Sequence, residues 1–209
     1  HMMNALIKQV TSTKYLGVTI DKHLHWNEHI SKITSKANTV RGFLQRNLKK
    51  CSIDTKSLCY LSLVRPILEY ACVVWSPYFK NNMNKLETTQ RRAARFVMNN
   101  YDKYASVTDM IKCLRWPTLE NRRNEQRILM LFKIVNQQVE IPSEGILIPN
   151  NVHTRGHNNK FRQLQTRLQC YQGSFFPDTI KLWNKLPDHL ANLHDLISFR
   201  EDLTKIINT

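Results

Sequence analysis

In the stretch KLETTQRRAARFVMNN (85–100), Arg91, Arg92 and Arg95 fall within five positions between Leu86 and Phe96. On a helical wheel started at Leu86, Gln90, Ala93 and Val97 cluster on one side with Phe96 on the flank. Arg91, Arg92 and Arg95 lie opposite, with Thr88 and Asn99, and Glu87 is the nearby acid. A charged stripe of this kind is either a solvated face or an anion grip. Solvated helices commonly alternate signs for i,i+4 pairing, which this one scarcely does. Arginine forks match phosphate oxygens in pairs, so contact with a nucleic acid backbone is the sharper reading.

A second cationic face follows the same logic. Residues 31–50 carry six basic residues and no acid. Lys32, Lys36, Arg46 and Lys50 fall to one side of that helix, and Phe43 falls among them. Phe43 could stack on a base, but packing against a neighbouring helix is the expected fate of an aromatic ring. Arg122, Arg123 and Arg127 either extend a basic surface or cover the outside of a later helix. Arg155, Lys160 and Arg162 lie in an acid-free stretch between Glu144 and Asp178.

Other chemistries find little support. His153 and His157 have a ligand-like spacing near Cys170, but a structural zinc site wants four ligands and usually a close cysteine pair, which is absent. Cys51 has no local general base for thiol catalysis. There is no phosphate-cradling glycine loop, and hence no expected cofactor. No Asp-Asp pair occurs in the chain, and Asp21 and Asp54 stand isolated, so no convergent carboxylates for two-metal phosphoryl transfer are evident. A metal and a catalytic residue are both expected to be absent.

The elements that must carry these residues are mainly helical. With 5 glycines in 209 residues, a turn-rich β sandwich is disfavoured. KYLGVTI (14–20) reads as a single strand. From Trp26, the series Ile30, Ile33, Ala37, Val40, Leu44 and Leu48 recurs at helical spacing. Residues 57–75 are apolar nearly all round and read as a buried helix, kinked or divided by Pro66. Further helices are predicted over 84–99, after a capping box at Ser106 and Asp109, over 118–139, and twice beyond residue 174, the second opening at Ser198 with Glu201. Trp75 and Trp183 are predicted core anchors.

Composition narrows the partner. Lys and Arg number 31 against 16 Asp and Glu, a formal charge of +15. Such an excess favours nucleic acid, with an anionic membrane surface far behind. No apolar run is long enough to span a membrane and no signal peptide is evident at the start. Five widely spaced cysteines fit reduced thiols packed as small apolar groups inside a cell.

Five stretches, in order along the chain, then resemble a known family. KYLGVTIDKHLHWNEHI (14–30) resembles the closing block of the reverse transcriptase domain of non-LTR retrotransposons, where the palm ends and the helical thumb begins. VRPILEYACVVWSP (64–77) with LETTQRRAARFV (86–97) is similar to the thumb of that family. SVTDMIKCLRWPTLENRR (106–123) and SFFPDTIKLWNKLP (174–187) resemble the tail beyond it in jockey-like elements. The resemblance implies a mainly α fold: a thumb-like bundle with a short N-terminal β segment and a C-terminal helical tail. The expected organisation is a cloning remnant (1–3), an end-of-palm β segment (4–25), a helical thumb (26–140), a basic connector (141–174) and a C-terminal helical segment (175–209). The family's palm aspartates and endonuclease are not matched, which implies a non-catalytic part that binds RNA or an RNA–DNA template–primer beside the rest of the polymerase. A nuclear and cytoplasmic ribonucleoprotein is the implied setting. The alternative is a helical remnant reused for protein interaction or self-association, and a homodimer is compatible with either.

Overall fold

In a computed structural model, the protein is described over residues 9–150 and 157–207. It is mainly helical, with a short β segment at its start, as the sequence implies. That segment is a hairpin: β1 (Ser12–Tyr15) pairs antiparallel with β2 (Val18–Asp21), Tyr15 opposite Val18. The single strand expected over 14–20 is therefore broken by a turn. Leu16 and Gly17 both adopt positive φ, 44° and 86°, the geometry of a two-residue turn that matches strand twist. The turn rests on Tyr70, whose hydroxyl donates to the Leu16 carbonyl at 3.1 Å. A Cβ on Gly17 would lie 3.1 Å from that ring, so the position demands glycine twice over.

Helix α1 (Asn27–Asn47) buries Ile30, Ala37 and Leu44 of the stripe predicted from Trp26 onward, half-buries Ile33 and Val40, and adds His29 and Thr34. It packs against α4 (Lys80–Val97), which buries Leu86, Gln90, Ala93 and Val97 as the wheel requires. Between them in sequence run α2 (Ile53–Cys59), a π-helical turn (Tyr60–Val64) and α3 (Arg65–Glu69). Pro66, which cannot donate to Ser62, divides this segment as expected, and the wider turn lets the Arg65 N–H reach the Tyr60 carbonyl. The segment is not buried all round: Leu58, Leu63, Tyr70 and Val74 are more than half exposed. The stripe of Tyr60, Val64, Leu68 and Cys72 enters the core, in one cluster with residues of α1 and α4 and with Leu119. Trp75 is fully enclosed, its indole N–H donating to the Tyr70 carbonyl at 2.7 Å.

Helix α5 (Val107–Cys113) starts at Ser106, whose hydroxyl accepts the Asp109 N–H. Helix α6 (Leu119–Val135) is capped by Thr118. It ends four residues before the expected Val139, because Gln137 turns left-handed (φ 57°) and the Gln138 N–H returns to the Lys133 carbonyl. Leu119 joins the first core, whereas Ile128, Leu131 and Phe132 enter a second one with Trp183, Leu190, Phe199 and Leu203. The second core is closed by α8 (Phe175–Trp183), α9 (Asp188–Ala191) and α10 (Leu196–Ile207), with the short α7 (Gln169–Gln172) preceding them. Here too a predicted cap moves: Asp195, not Ser198, receives the free donors, accepting both the N–H and the hydroxyl of Ser198 at 2.8 Å. A carboxylate complements the positive helix end better than a hydroxyl does.

The described ends of the connector are docked, at Pro149 and from His157 to Phe161. Pro149 bridges Phe161, and Asn184 of α8 clamps the Phe161 backbone with two bonds, 3.0 and 2.7 Å. Buried His157 meets the Trp183 carbonyl at 3.0 Å, and the Trp183 indole donates to Asn159 at 2.8 Å.

Candidate nucleic-acid interface

The two basic helices named from sequence lie side by side. Between α1 and α4 opens a groove of about 760 Å³ lined by Asn38, Asn81, Asn84, Lys85, Thr88 and Arg92, among others, with no acid in its lining. Small polar side chains there leave room for a backbone to approach, and amide and hydroxyl groups donate to phosphate oxygens. The acid of α4, Glu87, is turned away: its carboxylate accepts the Glu120 N–H at 3.0 Å. Burial there raises its pKa, with that hydrogen bond opposing the shift. The outer surface of α4 is thus left cationic.

The triplet that opened the sequence reading splits into two roles. Arg91 and Arg92 are exposed and make no hydrogen bond or ion pair among the described residues. Arg95 is half-buried and folds back over the loop after α4. Its guanidinium donates to the carbonyls of Asp102 at 2.7 Å and Ala105 at 3.3 Å. That loop exists because Asn99 is left-handed (φ 50°) and ends α4, which brings the Asp102 and Ala105 carbonyls under the last helical turn. Arg95 therefore acts first as a structural clamp.

On α1, Lys36, Arg46 and Phe43 are exposed along one stripe, with Lys50 exposed just beyond the helix. Lys32 is held by Glu28 at 2.7 Å and lies 3.4 Å from the Thr19 hydroxyl. Phe43 departs from the packing expected of it and is 57% exposed.

Sequence reasoning missed Arg41 and Lys85. Arg41 is on α1 facing α4, where burial, then the nearby charge of Arg92, lowers its pKa below the usual arginine value. One of its Nη atoms donates to Gln45 at 2.9 Å, while Nε is buried without a partner. A guanidinium that cannot discharge, beside a second cation and with an unused donor, makes this seam receptive to an anion. The signal was present in sequence as the i−4 spacing of Arg41 from Gln45, but its approach to Arg92 needed the helix pairing.

The expected contribution of Arg122 and Arg123 to a basic surface does not match their placement. Arg122 forks onto Glu69, with Nη2 to Oε2 at 2.9 Å and a shorter Nε bond to Oε1. That bond raises the Arg122 pKa. Arg123 and Arg127 are each 1% exposed. Arg127 gathers the carbonyls of Ser174 (2.6 Å) and Phe175 (3.2 Å) and pairs with Asp178 at 3.7 Å, pinning α8 onto α6. These arginines replace the expected solvated outside of α6, because the C-terminal helices cover that face. Arg162 is exposed and Lys160 half-buried in the connector, distant in sequence from the groove; Arg155 and His153 lie outside the described residues. Among the described residues no cluster of His, Cys, Asp or Glu could hold a metal, and no helix is long and apolar enough to cross a membrane. All five cysteines are free, Cys72 buried and Cys113 exposed.

No family model matches the chain, and no solved structure does. Curated proteins do. The chain is 27% identical over 121 residues to the probable RNA-directed DNA polymerase from transposon BS of Drosophila melanogaster, covering 56% of this chain and 13% of that protein. It is 28% identical over 120 residues to the RNA-directed DNA polymerase from mobile element jockey of the same species, again 56% of this chain and 13% of that protein. For the probable polymerase from transposon X-element the figures are 24% over 94 residues, 44% and 10%. The chain thus spans about an eighth or less of the length of these relatives. Over about half of its length, this chain is thus similar to RNA-directed DNA polymerases of Drosophila mobile elements.

Proposed function

We propose that this chain is a non-catalytic, nucleic-acid-holding part of a retrotransposon RNA-directed DNA polymerase, gripping RNA or an RNA–DNA duplex along the α1–α4 face. The observation that carries the reading is the acid-free groove between two cationic helices, with Arg92 and Lys85 on one wall. Arg91, Arg92, Lys36, Arg46 and Lys50 supply phosphate contacts, Arg41 reinforces the seam, and Phe43 offers a stacking face for an unpaired base. Phosphate contact of this kind holds a substrate without reading its sequence, which suits a polymerase that must translocate. The same reading places the chain in a nuclear and cytoplasmic ribonucleoprotein.

The test is a binding titration with RNA hairpin, RNA–DNA hybrid and DNA duplex at two salt concentrations. Saturable binding that weakens steeply with salt is expected. Absence of binding at low salt sinks the proposal.

A second reading rests on a different surface. Tyr15, Leu16 and Tyr70 are 65%, 74% and 59% exposed around the hairpin turn. These apolar side chains are suited to contact with the remainder of the polymerase or a second copy of the chain. Self-association measured by light scattering, surviving nuclease and high salt, would favour protein interaction as the principal role.

A further inference from the structure

At the seam between the two cores lies a second polar cavity, of about 340 Å³, bounded by the loop before α4, the first turns of α6, and α7 with α8. Its lining includes Arg123, Asn124, Gln169, Gln172 and Lys181, and on the acidic side Glu120 and Asp178. Arg123 is the unusual member. It is 1% exposed, its Nη1 has no hydrogen-bond partner within the protein, and it forms no ion pair among the described residues. Its neighbour Arg127, equally buried, is by contrast fully engaged by backbone carbonyls and Asp178.

A buried guanidinium stays charged, here with the carboxylates of Glu87 and Glu120 acting on it, and its unused Nη1 donor is costly to leave unmade. Folding has nonetheless kept it at the wall of a cavity with further donors. Lys181 adds a second positive charge, and the amides of Asn124, Gln169 and Gln172 can donate N–H groups. Of the two carboxylates, Asp178 is offset by Arg127 at 3.7 Å, and Glu120 is exposed to solvent. The volume lies at the lower end for small-molecule sites.

We infer that this cavity binds a phosphate oxyanion, with Arg123 and Lys181 as its two cations. The ligand is inorganic phosphate or the phosphomonoester of a mononucleotide. It would join α6 to α8 and so fasten the C-terminal helices to the first core. This site is separate from the α1–α4 groove and does not depend on the function proposed for it.

The test is calorimetric titration of the whole chain with inorganic phosphate and, in a parallel arm, adenosine monophosphate, at ionic strength held constant with chloride. Tighter binding in one arm identifies the source. A saturable site is expected, weakened about tenfold or more by Lys181→Met and unaffected by Lys22→Met, an exposed charge in the lining of neither cavity. Arg123→Met removes one of the two cations, so it should lose the rise in Tm that phosphate gives the unaltered chain. Should that variant fail to fold, Lys181→Met and the Nε–Hε resonance of Arg123, which must shift on titration, decide the matter. No saturable site in either arm overturns the inference, as does binding that survives Lys181→Met but is lost in Arg92→Ala.

Discussion

Replacing Arg91 and Arg92 together by alanine separates phosphate grip from mere surface charge. Both side chains are exposed and make no hydrogen bond or ion pair among the described residues, and alanine is as good a helix former as arginine, so α4 should be undisturbed. If each arginine neutralises one phosphate of a duplex, the salt slope of log affinity should fall by about 0.9 per arginine, about 1.8 for the pair. The release of one counterion into about 0.15 M salt contributes roughly 1 kcal/mol, so the pair should lose about 30-fold in affinity there. At about 0.05 M the loss should grow to roughly 200-fold, because counterion release is then more favourable. Fluorescence anisotropy with a labelled RNA–DNA hybrid across that range measures both quantities. Arg95→Ala is the internal control. It loses the carbonyl contacts to Asp102 and Ala105, so it should lower stability by about 1–2 kcal/mol in urea unfolding while leaving the slope nearly unchanged. An unchanged slope in the double variant, or an equal fall in Arg95→Ala, would refute the division of labour among the three arginines.

Two further outcomes test the frame that positions the groove. Burial beside Trp75 pushes the His29 pKa from 6.5 down to about 4, and its Nδ1 accepts the Thr19 N–H at 3.2 Å. The unfolded chain therefore binds the proton first as pH falls. Stability present above pH 6.5 should be lost progressively between about pH 6.5 and 4, by roughly 3 kcal/mol in total, and His29→Gln should flatten that part of a thermal-unfolding pH profile. Tyr60 donates to Gln90 at 3.0 Å, and Gln90 in turn donates to the Pro117 carbonyl at 2.9 Å, so the link joins the π-helical turn, α4 and the entry to α6. Tyr60→Phe leaves the buried Gln90 oxygen without its donor and should cost about 1–3 kcal/mol in chemical denaturation, with nucleic-acid affinity unchanged at saturating stability.

Much of this molecule is legible in the chain because its elements follow local rules. Leu86, Gln90, Ala93 and Val97 recur at helical spacing and are the buried face of α4; Trp75 and Trp183 are large apolar groups beside such stripes and are core anchors. The excess of cations and the family resemblance are likewise properties of order and composition, independent of how the elements pack. The hairpin was missed because its turn residues, Leu16 and Gly17, lack the usual Asn-Gly signature, and the left-handed leucine is stabilised by a bond from Tyr70, distant in sequence.

The roles of individual arginines were another matter. A helical wheel gives the angle of a side chain about one axis and says nothing of what later elements lay over it. Arg91 and Arg95 share a side of the wheel, yet a left-handed Asn99 brings loop carbonyls beneath Arg95 alone. Arg122, Arg123 and Arg127 look like a solvated face until α3, α7 and α8 cover them, through partners tens of residues away. The approach of Arg41 to Arg92 required two helices to pair. Helix positions and total charge come from neighbours along the chain; which charges stay free to hold an anion depends on long side chains meeting distant backbone, and that exists only once the cores have closed.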